Sequence, residues 1–321
     1  MNVLRVWQVI IVAVLAFVLV WRTDFDGVRQ AIGGAGVWQL AAVVGLNVPI
    51  VLLLGLRSQL VLGVMGRRLP AALVFPAAIV GNVAGSVTPV SSGELLRAAL
   101  LRSHADLPVE AGLALVVFER SMSLYLLVIT TGCAGAMLAL PGPAAPVLAG
   151  AAVLFMAVPL AAGRAFGSQA SGAPEAGGSF AVRASRLMRT VGALLHDPGL
   201  YVRWGACTLA VFALNGLQVW LVADSLHASA SGLDAWTALG TSQLAGIASL
   251  LPFGLGASDG SLAAVLGKLG STLQEGAAVA VLVRMTSTLP LIMIALGCYL
   301  YLMRRGRAVE ASGGAQREAA G

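Results

Sequence analysis

Two arginines, Arg120 and Arg284, lie well inside long apolar segments, and each follows a carboxylic acid at nearly the same distance. Glu94 stands 26 residues before Arg120, and Asp259 stands 25 before Arg284. At about 1.5 Å of helix rise per residue, each arginine falls about 15 Å from the start of its segment. A guanidinium at that depth in a bilayer costs about 2.5–3.5 kcal/mol on insertion scales, so it must face a bundle interior or a wet cavity. Its planar fork of donors suits bidentate phosphate binding, and two of them would offer a path for an anionic head group. Alternatively the fold neutralises each one, Arg120 through Glu119 or Glu94 and Arg284 through Asp259. Both arrangements can coexist in a gated site.

The two acids belong to polar interruptions of an apolar chain. The first is Thr88-Pro89-Val90-Ser91-Ser92-Gly93-Glu94-Leu95-Leu96-Arg97, and the second runs from Pro252 to Gly260 with Gly254, Gly256, Ser258 and Asp259. Irregular backbone survives at membrane depth only where protein or water surrounds it, and breaks in corresponding places of two halves point to a transporter's binding site. Glu94 and Arg97 share a helical face and can pair, with Ser91 or Ser92 as the N-cap. A sharper reading has the helix N-terminus, opened by Gly93, receiving an anion. Glu94 would compete with that anion, which favours an organising or proton-coupled role for it. Gly254, Gly256 and Gly260 permit tight turns, and Ser258 or Asp259 can cap the next helix. Asn82 and Thr88 can satisfy backbone groups freed by the first break. Glu119 points about 100° away from Arg120 and serves a different surface. These residues form the candidate substrate-binding set, with no catalytic set beside them.

The elements that must position this set are transmembrane helices. The 321 residues are 58% hydrophobic and only 11% charged, with a mean hydropathy of +0.89, against about 25% charged in soluble domains. The chain therefore reads as an all-α polytopic membrane protein. Spans are expected at Met1–Trp21, Val37–Leu56, Pro108–Leu140, Val147–Ala162, Trp204–Val222 and Gln274–Met303. Arg57, Arg67 and Arg68 would follow the second span. The net charge of +6 comes from nineteen arginines and Lys268; without a soluble basic face it speaks for positive-inside loops and not for nucleic acid. Cys133, Cys207 and Cys298 lack ligand spacing and read as small core residues. The scattered histidines make no metal constellation, and no cofactor is expected. Six tryptophans, Trp204 among them, fall near span ends as belt anchors. Within 164–203, Gly167–Ser179 reads as flexible, and Arg183, Arg186 and Arg189 lie on one face of an interfacial helix.

Each half then takes the form span, span, interrupted hairpin, long span, with hairpins at about 71–103 and 236–270. The long spans align with Arg120 on Arg284, Gly112 on Gly276, Ala114 on Ala278 and Ser123 on Ser287. Re-entrant hairpins leave three crossings per half, giving an inverted-topology repeat of residues 1–140 and 141–303 and a disordered basic tail at 304–321. With the 164–203 loop cytoplasmic, the other arginine-rich segments and both termini are cytoplasmic too, while Asp224 and Asp234 fall outside.

At these motifs the sequence resembles the flippase-like membrane domain of the lysylphosphatidylglycerol synthase family. The resemblance rests on Pro89-x-x-x-Gly93-Glu94-x-x-Arg97-Ala98, on Phe118-Glu119-Arg120, and on Pro252-x-Gly254-x-Gly256 with the later Arg284. It implies a lipid flippase of the bacterial inner membrane, carrying a phospholipid or polyprenyl-linked lipid whose anionic or sugar-linked head group passes between the hairpins. Relatives that make aminoacyl-lipids carry a cytosolic transferase domain, which is not expected here; a separate lipid-modifying enzyme is a possible partner. Val90-Ser91-Ser92 replaces a segment often basic in relatives, and Ser258-Asp259-Gly260 replaces a common Arg-Glu pair, leaving head-group preference open. The rivals are a membrane enzyme, which lacks clustered nucleophiles or ligands, and a non-transporting accessory subunit for a lipid-modifying or glycosyl transferase.

Overall fold

A computed structural model describes residues 36–87, 93–105, 107–139 and 180–318, with Val147, Gly150, Val158 and Pro159, and the backbone alone at 180–185 and 306–318. The expected first span and most of the Val147–Ala162 span lie outside the described residues. Every regular element among the described residues is helical: α1 (Val37–Gly45), α2 (Asn47–Val64), α3 (Ala71–Val87), α4 (Glu94–Ala105), α5 (Val109–Ala139), α6 (Phe180–His196), α7 (Pro198–Ser225), α8 (Gly232–Ser249), α9 (Ala257–Lys268), α10 (Leu273–Val283) and α11 (Leu289–Glu318), with a π turn at Arg284–Thr288. Among the described residues, four stretches are long and apolar enough to cross a bilayer: Val37–Val64, Val109–Ala139, Pro198–Ser225 and Leu273–Arg305. The shortest of them, at 28 residues, is about 42 Å long against a hydrocarbon core of about 30 Å. The chain is a multi-pass, all-α membrane protein.

Three boundaries differ from the sequence reading. The Val37 span runs through Arg57 to Val64 and does not stop at Leu56, because the apolar run resumes at Leu60. The span expected at Trp204–Val222 begins at Pro198 and ends at Ser225; Asp197 accepts from the Leu200 N–H and proline occupies the first helical position. The last helix continues to Glu318 through the segment read as a disordered tail. Within the Val37 span, Pro49 lacks the N–H that would reach Gly45 and so breaks α1 from α2. Asn47 repairs the break: its side-chain amide donates to Val44 O at 3.0 Å and to Thr286 O at 3.1 Å.

Two antiparallel hairpins set the architecture. In the first, Gly81 of α3 lies against Arg97 of α4 and Gly85 lies against Glu94. In the second, the Ser242 hydroxyl donates to Ser258 O at 2.8 Å, and Ser271 donates to Ser229 O at 3.2 Å, so both ends of the α8–α9 pair meet. The return arms α4 and α9 have 12 residues each, about 18 Å. The first hairpin opens at the end of the bundle where His104 Nε2 lies 3.0 Å from Leu302 O. Arg67, Arg68, Arg186, Arg189, Arg304 and Arg305 gather at that end. The second hairpin opens at the opposite end, near Asp224, whose carboxylate accepts from Gln39 at 2.8 Å.

The packing is reciprocal. The first arm α3 lies against α11, and the first arm α8 lies against α5, where Gly240 meets Thr131. Between them α2 packs on α7 through Ile50, Leu54 and Val211, and Gln218 donates to Val43 O at 2.9 Å. In lipid, helices gain little from the hydrophobic effect on meeting each other, so close van der Waals contact and interhelical hydrogen bonds must hold them. Small residues serve that end. A Cβ at Gly112 would lie 2.9 Å from Ala98 Cβ, and one at Gly276 would lie 2.7 Å from Ala263 O.

Candidate functional site

The first charged cluster is built where α4 begins. Glu94 is the first residue of α4 and is buried, and its Oε1 pairs with Arg120 Nη2 of α5. Gly85 of α3 leaves the room: a Cβ there would be 2.6 Å from Arg120 Nη2. One turn along α4, Arg97 Nη1 donates to Glu119 Oε2 at 2.7 Å and to Ser58 Oγ at 3.2 Å. Arg57 of α2 closes the group, with Nη2 3.7 Å from Glu119 Oε2 and Nη1 3.4 Å from Ser123 Oγ. Its guanidinium stands 5.2 Å over the Trp204 ring, which meets Phe118 edge-on at 5.4 Å.

Three guanidiniums thus face two carboxylates, leaving one excess positive charge among helices α2, α4 and α5. Several polar atoms have no partner among the described residues: Arg97 Nε and Nη2, Arg57 Nε, Arg120 Nε, Glu94 Oε2 and Glu119 Oε1. The deep members Glu94, Arg97 and Glu119 are buried, whereas the Arg120 side chain is 36% exposed. The cluster is therefore closed on the α2 side and open at Arg120.

The second cluster is built at the tip of the α8–α9 hairpin. Arg284 Nε donates to Asp259 Oδ1 at 2.5 Å, and its Nη2 donates to Ser258 Oγ at 3.1 Å and to Phe253 O at 3.2 Å. Asp259 also accepts the Gly256 N–H at 3.1 Å, so it caps α9 and holds the arginine at once. The tip is sharply bent: Leu250, Phe253, Gly254 and Gly256 all have positive φ, at 54°, 53°, 60° and 80°. Gly254 is needed twice over, since a Cβ there would lie 2.6 Å from Gly246 Cα. The leucine and phenylalanine adopt this region at a cost of roughly 1–2 kcal/mol each. Arg284 opens the π turn, a local widening common at functional places, and Asn47 holds that turn at Thr286. The Pro252–Gly254 turn packs on α3, the helix that carries Gly85 at the Arg120–Glu94 pair.

The two halves make matching contacts: acid to arginine at Glu94–Arg120 and Asp259–Arg284, and glycine to alanine at Gly112–Ala98 and Gly276–Ala263. Of the sequence-predicted residues, Glu94, Arg97, Glu119 and Arg120 come together around α4, and Asp259, Arg284, Gly254 and Gly256 come together at the other tip. Glu94 and Arg97 do not pair with each other: each finds a partner on α5, and Glu119 serves a surface distinct from that of Arg120, as its angle on the helix requires. Gly93 forms the turn before α4. The Asn82 side chain is half-buried on α3 and makes no hydrogen bond among the described residues. Thr88 and Ser92 lie outside the described residues.

Sequence reasoning missed Arg57 and Trp204. The sequence reading makes Arg57 a charge beyond the second span, yet it is buried seven residues before the end of α2; the apolar Leu60–Met65 run behind it is the available signal. Trp204, expected as a belt anchor, is fully buried beneath Arg57. No curated protein matches the chain. The family model of the lysylphosphatidylglycerol synthase transmembrane region, however, matches residues 5–295, which take in both hairpins and both arginine clusters. On that match the chain belongs to the lysylphosphatidylglycerol synthase transmembrane-region family.

Proposed function

We propose that this protein moves a phosphate-bearing lipid between the leaflets of the bacterial inner membrane, without chemistry on the lipid. The family ties the chain to lipid metabolism in the membrane. The observation that carries the finer reading is the buried cluster with one excess positive charge that opens at Arg120. An uncompensated charge at bilayer depth is costly, and a head-group phosphate is the compensating partner that a lipid supplies. The two hairpins are read as re-entrant, entering from opposite leaflets as an inverted repeat, with acyl chains left in the bilayer. By the positive-inside rule the end carrying Arg67, Arg186 and Arg304 is cytoplasmic.

In this conformation Glu94 holds Arg120 and Asp259 holds Arg284. Transport then requires each acid to yield its arginine to the phosphate and to take it back once the head group has passed. Arg120 and Arg284 are the binding groups, and Glu94, Arg97 and Asp259 shape the gate. The test is movement of labelled lipids with several head groups in liposomes containing the purified chain. Transport above empty vesicles, lost in Arg120→Ala and Arg284→Ala, is expected; no transport with any head group refutes the reading.

A second reading has the chain as a non-transporting subunit that recruits a lipid-modifying or glycosyl transferase through the 164–203 segment. The exposed Arg186 and Met188 on α6 favour it. Deleting Gly167–Ser179 together with α6 abolishes function under this reading and spares transport under the first.

A further inference from the structure

Pro290 lies six residues after Arg284 and has no N–H to give. The carbonyl four residues back, at Thr286, therefore loses its usual helical donor. Just before it the backbone is already widened: the Leu289 N–H reaches back five residues to Arg284 O in the π turn. Openings of this kind persist in a membrane helix where a neighbouring helix satisfies the freed groups. Here Asn47 of α2 does so. It is buried, and its amide nitrogen donates to Thr286 O at 3.1 Å and to Val44 O at 3.0 Å. Both partners are carbonyls, so both of its N–H groups are committed. The same side chain thus ties the α1–α2 break at Pro49 to the turn that carries Arg284.

We propose that Asn47 is a positioning residue for Arg284: its amide pins a hinge, made by the π turn and Pro290, that sets how readily the guanidinium leaves Asp259. Arg284 is the first residue of that turn, and its own carbonyl takes the widened bond, so a change in the turn displaces its backbone directly. Its guanidinium meets three acceptors on the α8–α9 tip, Asp259 Oδ1, Ser258 Oγ and Phe253 O. Hydrogen bonds weaken steeply with misalignment, so a small swing of the turn releases the fork. With the amide in place the turn is fixed against α1, which packs on it. The inference rests on the transport reading for its use, since there Asp259 must yield Arg284; the pin itself is a property of the fold.

The test is amide hydrogen exchange of the full chain in nanodiscs, read by mass spectrometry, with labelled-lipid flux in liposomes beside it. Asn47→Leu removes the donor at similar volume. Exchange over 284–292 and over the tip at 253–260 is expected to rise at least about fivefold, the scale of one buried carbonyl left without its donor. Residues 120–130 of α5 should keep their rate, which a general loss of stability would not allow. Pro290→Ala returns an N–H to Thr286 O, so adding it to Asn47→Leu should bring exchange back near that of the parent. Pro290→Ala alone should slow exchange over 284–292 and lower flux while the unfolding midpoint holds or rises. That single variant decides the matter if Asn47→Leu fails to fold. Exchange indifferent to Asn47→Leu, raised equally along α5, or not restored by Pro290→Ala overturns the proposal. So does undiminished flux in Pro290→Ala. A parent chain that moves no lipid while the exchange pattern holds refutes the transport reading and upholds the pin.

Discussion

Glu119 is the keystone of the first cluster, and its replacement by glutamine should cost more than the loss of either arginine it holds. With an effective dielectric constant of about 20, its attraction to Arg97 at 2.7 Å is roughly 6 kcal/mol, and that to Arg57 at 3.7 Å is roughly 4.5 kcal/mol. Removing the buried carboxylate charge returns several kcal/mol of desolvation, so the net loss is about 3–5 kcal/mol, as for other broken buried pairs. The charge count orders the variants. The native cluster carries one excess positive charge, Glu119→Gln carries two, Arg97→Met carries none, and the double variant returns to one. Glu119→Gln should therefore lower the apparent unfolding midpoint in detergent by about 10 °C, at a few degrees per kcal/mol. Arg97→Met should lower it less, since Arg57 keeps its acid, and adding Arg97→Met to Glu119→Gln should recover more than half of the loss. Midpoints compared at one scan rate suffice even where unfolding is irreversible. A double variant no more stable than Glu119→Gln would refute the claim that these charges act on one another.

Other perturbations separate packing, strain and fork geometry. Gly276→Ala should destabilise by about 1–3 kcal/mol, and by more than Gly112→Ala, because its Cβ would strike a backbone carbonyl rather than a methyl group; equal midpoints for the two variants would contradict this. Leu250→Gly relieves a left-handed leucine costing roughly 1–2 kcal/mol against a glycine entropy penalty of roughly 0.5–1 kcal/mol, so the midpoint should rise by a few degrees, whereas Leu250→Ala should bring no rise. Arg284→Lys keeps the charge but cannot reach Asp259, Ser258 and Phe253 O together; labelled-lipid movement should fall at least about tenfold, and unchanged flux would remove the fork from the mechanism.

Much of this fold was legible because the bilayer imposes a coarse code. Apolar length announced the four described spans, and Gly and Pro with hydroxyls announced the bend at Pro252–Gly260. The joint spacing of Glu94 to Arg120 and Asp259 to Arg284 gave the two ion pairs, which the structure places among the offered alternatives. Partner choice within the crowded first cluster was not legible: whether Arg97 turns to Glu94 or Glu119 depends on how α4 rotates against α5, which Gly112 and Ala98 set through contact. Arg57 was hidden by the habit of ending a span at its first charge. Trp204 was hidden because aromatic residues near a span end serve lipid and core equally well until the neighbouring helix is known.

The exchange of hairpin arms carries a consequence for biogenesis. Because α3 is covered by α11, and His104 meets the backbone at Leu302, the opening module of the chain cannot finish assembling while the ribosome is still midway. At 5–20 residues per second, the interval between Ala105 and Leu302 is about 10–40 s. For that time Glu94, Arg97 and Glu119 sit in an incomplete enclosure, in need of water, lipid head groups or an insertion chaperone as temporary company. Severing the gene into two coexpressed fragments should accordingly succeed only when both are made together, each standing guard over the other's unfinished surface.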